Sequence, residues 1–292
     1  MRSAALLLET TDKHRSDLVR RATIYASPFL RYPGGKRRML DFILPLLPPA
    51  SEIPGLYAEP FVGGASVFLA LNPLRPVLSD TNHDLIGLYK AIRLAPSKVW
   101  RIYEEFPTTS KGFYSIRSAD VVEKGEIYKA ARLLYLNRTC FNGMWRHNSD
   151  GKFTVGYGGQ ERRWAISKQD LTDVSAMLKK ATLVSSDFES VIDYTGSGDF
   201  LFLDPPYRPA AKEIVWDHYS GLKFTFDEQI RLSRTLQRAT ARGVRWAMTN
   251  SSHPAVLNLY ENHDLTFVPK GTGGSPGVMV SNPGEVLIRN YQ

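Results

Sequence analysis

One stretch of the chain combines residues that could do chemistry, Asp204-Pro205-Pro206-Tyr207. It follows an apolar run, Phe200 to Leu203, that does not alternate and therefore predicts a strand buried on both faces. Two consecutive prolines cannot continue a sheet, so the strand stops at a stiff corner that presents a carboxylate and a phenol. Ligands bind at this end of the strands in open α/β sheets. A plain turn is the alternative interpretation, so the rest of the chain must decide.

Two glycine-rich turns each precede a predicted helix. Tyr32-Pro33-Gly34-Gly35-Lys36 leads into a helix at 36–47, where an aromatic side chain and a lysine suit an anionic or aromatic ligand. Glu59-Pro60-Phe61-Val62-Gly63-Gly64 separates a strand from a helix, and its paired glycines allow the backbone to approach a nucleotide-like group. This second turn matches neither G-x-G-x-x-G nor a P-loop. An ordinary loop–helix junction is the alternative for the first turn.

Acidic residues follow two further predicted strands. Asp80 ends the strand 76–79, about 20 positions after the first strand, which is where a nucleotide-binding βαβ unit places a ribose ligand. Capping of a helix at 82–93 is its alternative role. The strand 181–185 leads to Asp187 and Phe188. Together with the second glycine turn, Asp80 favours a nucleotide-like ligand at one edge of the sheet.

A basic and aromatic segment covers residues 129–165. It contains seven Lys or Arg residues against two acidic ones, with six aromatic residues between them. Basic groups bind phosphates, and aromatic rings stack on bases or wedge between them, so the segment predicts a nucleic-acid surface. A flexible basic loop with a hairpin is the alternative.

Composition sets wider limits. The chain has 292 residues and a net charge of +8, which favours a polyanionic partner. The single cysteine, Cys140, excludes an internal disulfide framework and a cysteine-based zinc site, and the six histidines show no ligand spacing, so we expect no metal. No apolar run reaches the roughly 20 residues of a membrane span, so we expect a cytoplasmic protein without membrane contact.

The order of predicted elements indicates an α/β domain with an insertion. Strands at 244–249, 263–268, 278–281 and 285–289 continue the pattern after the Asp204 corner. We assign 27–93 and 166–292 to one α/β domain and 94–165 to a mostly helical insertion with a β-hairpin; the resemblance given next implies that the first is catalytic and the second recognises the target. Residues 1–26 form an N-terminal extension without an assigned role.

The three motifs together resemble the Dam-like, D12-class (alpha group) site-specific DNA adenine-N6 methyltransferases. The resemblance rests on Tyr32 to Lys36, Glu59 to Gly64 and Asp204 to Tyr207 in this order, and on the run Leu136 to Gly143. It covers the chain from about Phe29 to the C-terminus. It implies a Rossmann-like, seven-stranded S-adenosylmethionine-dependent methyltransferase sheet with an inserted DNA-recognition domain, and S-adenosylhomocysteine as a product.

The resemblance also implies roles for individual residues. Those implied in catalysis are Asp204, Pro205, Pro206 and Tyr207. Those implied in cofactor binding are Tyr32, Gly34, Gly35, Lys36, Glu59, Pro60, Phe61, Gly63, Gly64, Asp80, Asp187, Phe188 and Asp204. Those implied in DNA binding are Arg138, Phe141, Asn142, Met144, Arg146, Asn148, Lys152, Tyr157, Arg162 and Arg163.

A mechanism follows from the chemistry of the target amine. The N6 lone pair of adenine is delocalised into the ring, so its amine is a poor nucleophile. Asp204 and the Pro205 carbonyl could accept its two N–H bonds and favour a more sp³-like nitrogen, without a covalent enzyme intermediate. The base must leave the duplex, and Tyr207 is placed to stack on it.

The target sequence and the partners stay open. Arg146 stands where the family places a base-contacting arginine, but Gly159-Gln160 replaces a basic residue of the GATC-modifying members. Phe141 and Asn142 are candidates for filling the gap left by a flipped base. We expect a monomer that acts on double-stranded DNA, alone or beside a cognate restriction endonuclease. The alternatives are an RNA or protein-amide methyltransferase and a non-catalytic DNA-binding relative.

Overall fold

The computed structural model describes residues 26–32, 34–148, 152–207, 224–269 and 284–292. The predicted strand at 278–281 and the extension up to residue 25 lie outside them. Seven strands form one sheet, and their bounds are Tyr57–Glu59 (β1), Pro76–Asp80 (β2), Thr182–Ser185 (β3), Phe200–Leu203 (β4), Arg245–Ser251 (β5), Asp264–Phe267 (β6) and Glu285–Arg289 (β7).

The sheet has the order β3-β2-β1-β4-β5-β7-β6. Strands β1 to β5 run parallel, whereas β7 is antiparallel to both β5 and β6. Strands β2 and β3 lie on one side of β1, and the later strands β4 and β5 lie on its other side. The strand order therefore reverses between β1 and β4, which is where open α/β sheets form a ligand crevice.

Both faces of the sheet are covered, which explains why β4 is apolar without alternation. Phe200 and Phe202 point into one hydrophobic core, and Leu201 and Leu203 point into the other. Ten α-helices lie within the described residues. Their bounds are Leu40–Ile43 (α1), Ser66–Leu71 (α2), His83–Leu94 (α3), Pro96–Glu105 (α4), Ser110–Ser118 (α5), Glu126–Thr139 (α6), Lys168–Leu178 (α7), Phe188–Asp193 (α8), Phe226–Ala241 (α9) and Pro254–Leu257 (α10).

The first predicted helix is less regular than expected. Short 3-10 segments at Lys36–Met39 and Leu44–Leu46 flank α1, and the latter contains Pro45. Helix α5 was not predicted, although Thr109 caps it by accepting a hydrogen bond from the Gly112 N–H. None of the helices in the described part of the chain combines the length and the apolar character that a bilayer span requires.

The inserted segment is mostly helical, as predicted. Helices α4, α5 and α6 pack into the same hydrophobic core as one face of the sheet. Two isolated antiparallel bridges, Cys140 with Tyr157 and His147 with Phe153, connect the two sides of the segment predicted as a hairpin, which forms no regular strands in the described residues. The insertion is thus fastened to the catalytic part by a continuous core, while the boundaries assigned to the two domains stay a prediction.

Candidate active site

The Asp204 corner is held by side chains from two neighbouring elements. Thr249 is fully buried in β5, and its Oγ1 donates a 2.8 Å hydrogen bond to Asp204 Oδ1. Gln229, which is 1% exposed in α9, donates to the carbonyl of Pro206 at 3.0 Å. Asn250 in turn donates to Gln229 Oε1 at 3.1 Å. These bonds fix a corner that two prolines already make stiff.

The first glycine turn brings a cation to this corner. The Gly35 N–H donates to the Tyr32 carbonyl at 2.9 Å, which closes the turn. Lys36 is only 3% exposed, and its Nζ lies 2.8 Å from Asp204 Oδ1. The same Nζ donates to the Gly34 carbonyl at 2.7 Å and lies 4.7 Å from the centre of the Tyr207 ring. The first and last motifs, 168 positions apart, thus meet in an ion pair.

A second carboxylate joins this group, which the sequence did not predict. Glu285 Oε2 accepts a 3.3 Å hydrogen bond from the Tyr207 hydroxyl and lies 4.0 Å from Lys36 Nζ. Burial raises the pKa of Glu285, and nearby Lys36 lowers it in part. Burial, together with the charges of Asp204 and Glu285, also raises the pKa of Tyr207, so its phenol stays protonated.

The second glycine turn packs against the first. Gly63 has φ of +45°, and a Cβ there would approach the Tyr32 ring to 2.8 Å, so only glycine fits. Its N–H donates to Asp80 Oδ2 at 3.1 Å, and its carbonyl accepts from Tyr89 at 2.7 Å. The turn is therefore bonded to its neighbours on both sides. Gly64 lies against Tyr32 in the same way.

Asp80 is not the N-cap of the helix that follows it, and its ligand role stays a prediction. The cap of α3 is Asn82, whose Oδ1 accepts from the Leu85 N–H at 3.1 Å. Asp80 Oδ1 instead accepts from the Asn82 N–H at 3.0 Å. Its carboxylate therefore lies at the end of β2 beside the glycine turn.

Glu59 lies at the end of β1 and is 3% exposed. It accepts a hydrogen bond from the Tyr57 hydroxyl. Burial raises the pKa of Glu59 to about 8, so the carboxyl holds its proton at neutral pH. Pro60 is buried beside it, and Phe61 leads to the aromatic cluster described next.

Asp187 and Phe188 follow β3, and an arginine that the sequence did not predict binds both. Asp187 caps α8 by accepting from the Glu189 N–H at 2.9 Å. Arg231 of α9 donates to its two oxygens at 2.7 and 2.8 Å, which lowers the pKa of Asp187. The Arg231 guanidinium lies 4.0 Å from the centre of the Phe188 ring. Phe188 also packs against Phe61, with ring centres 5.3 Å apart.

Most of the predicted DNA-binding side chains lie at or near the surface of the insertion. Phe141 is 55% exposed, and Asn142 follows it with φ of +52°. The Arg146 Nε donates to Thr154 at 3.2 Å. The exposed members are Phe141, Asn142, Arg146, Asn148, Lys152 and Arg162, and the partly buried ones are Met144 and Tyr157.

Two predicted DNA contacts are corrected, because both arginines are buried. Arg163 is fully buried and donates to the carbonyls of Tyr103 and Phe106 at 2.7 and 2.8 Å. These carbonyls lie at the C-terminal end of α4, where helices lack internal partners. Arg138 is 6% exposed and donates to the carbonyls of Phe29 and Arg162. Both guanidinium groups therefore stabilise the insertion from inside.

The insertion also contacts the first glycine turn directly. The Asn137 side chain accepts from the Arg31 N–H at 2.9 Å and donates to the Arg31 carbonyl at 2.7 Å. The buried ring of Trp145 lies 5.8 Å from the ring of Tyr32, measured between centres. The segment predicted to read DNA is thus packed against the turn that holds Lys36.

Residues 32–270 match the family model of the D12 class N6 adenine-specific DNA methyltransferases. The chain belongs to this family. The predicted resemblance is therefore confirmed, and so is the predicted reaction class, methylation of the N6 amine of adenine in DNA. The seven-stranded sheet agrees with the fold expected for the D12 class.

Three relatives are similar to this chain over most of its length. The type II methyltransferase M1.LlaDCHI of Lactococcus lactis subsp. cremoris is 29% identical over 94% of this chain and 99% of its own length. The type II methyltransferase M.MjaIII of Methanocaldococcus jannaschii is 31% identical over 90% of this chain and 99% of its own length. The DNA N-6-adenine-methyltransferase of Escherichia phage P1 is 35% identical over 85% of this chain but only 33% of its own length.

Proposed function

We propose that this D12-class enzyme takes its methyl group from S-adenosylmethionine and transfers it to an adenine that has been flipped out of a specific duplex DNA sequence. The observation that carries the proposal is the ion pair between Lys36 and Asp204. It joins the turn proposed to bind the cofactor to the corner proposed to bind the base. The junction lies at the carboxyl edge of the sheet, beside the reversal of strand order.

The residues at this edge fit the proposed cofactor. Carboxylates at the ends of β2 and β3, Asp80 and Asp187, suit ribose hydroxyls and an adenine amine as hydrogen-bond acceptors. The rings of Phe61 and Phe188 offer an apolar wall for a purine. Gly34 has φ of +75°, and apart from its chain neighbours no atom of the described residues lies within 4 Å of the place of a Cβ, which leaves room for a ligand close to its backbone.

The remaining residues proposed for the cofactor line the same edge. Gly63 and Gly64 form a buried turn that packs against the Tyr32 ring. Gly35, Lys36, Glu59 and Pro60 are also proposed to contribute to the cofactor site. When bound, S-adenosylmethionine supplies an electrophilic methyl group on a positively charged sulfur.

The Asp204 corner would orient the amine for attack. Lys36 and Thr249 both donate to Oδ1, so hydrogen-bond donors in the described part of the chain converge on that oxygen. We infer that Oδ2 accepts one N–H of the adenine amine and the Pro205 carbonyl accepts the other. This arrangement favours a more sp³-like N6 whose lone pair is less delocalised into the ring. The rate enhancement comes from orientation and fixed charges. Asp204 then accepts the proton that N6 releases after transfer.

Tyr207 would hold the flipped base from one side. Lys36 Nζ lies over one face of its ring, 4.7 Å from the centre, and its hydroxyl is bonded to Glu285, so the ring is held on one face and at its hydroxyl. A fixed aromatic face offers stacking energy of about 1–3 kcal/mol to a base. Pro206 contributes through its carbonyl, which Gln229 holds in place.

The exposed residues of the insertion would contact DNA. We propose that Phe141 and Asn142 fill the gap left by the flipped base, since they project at a tight turn beside the catalytic part. Arg146, Asn148, Lys152 and Arg162 are proposed to contact bases or phosphates, and Met144 and Tyr157 to support them. Two relatives named type II methyltransferases support a cognate restriction endonuclease as a functional partner. We propose a monomer as the active form.

The proposal is tested with radiolabelled S-adenosylmethionine, duplex DNA of varied sequence, total RNA and protein. We expect label only in DNA, as N6-methyladenine, and only in a subset of sequences. The fluorescence of 2-aminopurine at the target position should rise on binding if the base leaves the stack. Label in RNA or protein but not in DNA would refute the proposed substrate, and labelling of every adenine would refute the specificity.

A further inference from the structure

Glu285 reaches the active site because of the way its strand enters the sheet. Strand β7 is antiparallel to β5, and Glu285 pairs with Ser251, the last residue of β5. The first residue of β7 therefore lies at the edge where the parallel strands end. A carboxylate far from every motif in sequence is thus placed beside the Asp204 corner.

The contacts of Glu285 define a small charged group. Lys36 Nζ lies 2.8 Å from Asp204 and 4.0 Å from Glu285, and it is the one cation that forms an ion pair with either carboxylate in the described residues. Tyr207 donates its hydroxyl hydrogen bond to Glu285 at 3.3 Å. With both carboxylates ionised, Lys36, Asp204 and Glu285 together have a net charge of −1. With Glu285 protonated, the net charge is zero.

We propose that ionised Glu285 lets this charged group discriminate between the positively charged methyl donor and its uncharged thioether product. The inference rests on the proposed function, which places the donor beside Asp204. Methyl transfer forms a C–N bond and breaks a C–S bond, so the positive charge leaves the sulfur and passes to N6, which then releases a proton to Asp204. The excess negative charge therefore favours the donor before transfer and loses its attraction for the thioether afterwards.

The size of this discrimination follows from the distance between Glu285 and the positive charge of the methyl donor. Glu285 and Asp204 contact the same ammonium group, so a cation at Asp204 lies within several ångströms of Glu285. At an effective dielectric constant of about 20 to 40, removal of one charge at that distance changes affinity by about tenfold. A thioether without charge should be almost unaffected.

The protonation state of Glu285 makes the discrimination between donor and product depend on pH. Among the residues that the structure describes, the titratable groups that face Glu285 are Lys36, Asp204 and Tyr207. Burial raises the pKa of Glu285 above that of an ordinary glutamate. Discrimination should therefore be complete above this raised pKa and decrease as the pH falls through it.

The experiment is calorimetric titration of the full chain, without DNA, with S-adenosylmethionine and with S-adenosylhomocysteine. We expect Glu285→Gln to weaken donor binding about tenfold relative to product binding, with the ratio for the wild type falling towards that of the variant at low pH. Glu261→Gln, an exposed matched substitution in the same half of the chain, should leave the ratio unchanged.

The outcomes separate this inference from the proposed function. If both ligands bind and Glu285→Gln leaves their ratio at the wild-type value, the role of Glu285 is refuted alone. If neither ligand binds the wild type, the cofactor of the proposed function is refuted. If the variant does not fold, the wild-type titration decides, because a ratio that is independent of pH contradicts the role of Glu285.

Discussion

Thr249 Oγ1 donates a 2.8 Å hydrogen bond to Asp204 Oδ1, which joins the ends of the neighbouring strands β4 and β5 at the proposed catalytic carboxylate. Lys36 donates to the same oxygen from the opposite end of the sequence. Two donors on one oxygen fix the rotation of the carboxylate. The orientation of the amine should therefore depend on a buried hydroxyl outside every motif.

Replacement of Thr249 by valine should slow methyl transfer while leaving ligand binding intact. Valine keeps the shape but removes a hydrogen bond to a charged group, which contributes about 1.5–3 kcal/mol, so the single-turnover rate constant should fall tenfold or more. Thr249→Ser keeps the hydroxyl and should retain most of the rate. Equal rates for the valine variant and the wild type, measured by rapid quench, would exclude this positioning role.

Replacement of Arg163 should lower stability. Arg163→Met leaves the carbonyls of Tyr103 and Phe106 without their donor inside the protein. Unsatisfied buried groups of this kind should reduce the free energy of unfolding by about 3 kcal/mol. Urea denaturation measures this loss. An unchanged unfolding midpoint, accompanied by weaker DNA binding, would restore Arg163 as a DNA contact.

Replacement of Arg146 should weaken the discrimination between DNA sites without lowering stability. Its exposed side chain contacts Thr154, so Arg146→Ala should leave the unfolding midpoint unchanged. If Arg146 reads a base edge, discrimination between cognate and altered DNA sites should fall by about 1–3 kcal/mol. Fluorescence anisotropy with a set of duplexes tests this. Uniform weakening on all duplexes would instead make Arg146 a phosphate contact.

Replacement of Glu59 should change how stability depends on pH. Its carboxyl group holds a proton up to about pH 8 in the folded protein, against an ordinary pKa of 4.5. The folded state therefore binds more protons than the unfolded state between these values, and stability falls as the pH rises. Glu59→Gln removes this dependence, of the order of 1 kcal/mol per pH unit.

The measurement is urea denaturation of both proteins at pH 5 and at pH 8, without ligands. The variant should gain stability over the wild type as the pH rises. Glu123→Gln, an exposed matched substitution, should show no such gain. A constant difference between the wild type and Glu59→Gln across this range would show that the buried carboxyl is already ionised.

The sequence predicted the features that local patterns encode. The end of β4, both glycine turns and the acidic ends of β2 and β3 each depend on a few adjacent residues. Thr249 and Glu285 could not be predicted in this way, because they reach the site through pairing of distant strands. In particular, the position of Glu285 depends on the antiparallel insertion of β7 between β5 and β6.

The two buried arginines show a different limit. A count of basic residues in 129–165 treats each charge as exposed, yet Arg138 and Arg163 donate to carbonyls inside the fold. Sequence periodicity does not show which carbonyls at a helix end need a hydrogen-bond donor, because this depends on how the helix packs. Exposed Arg146 and Arg162 fit the original interpretation, and the interior pair does not.

The most direct test of the account is the single-turnover rate of Asp204→Ala with duplex DNA, with binding of S-adenosylmethionine measured on the same preparation. We expect N6-methyladenine formation to fall about a hundredfold or more, since an orienting and charge-stabilising group is lost, while cofactor binding stays measurable. Asp193→Ala, on the exposed surface of α8, should keep the full rate. Wild-type rates in Asp204→Ala would contradict the central claim that this corner orients the adenine amine.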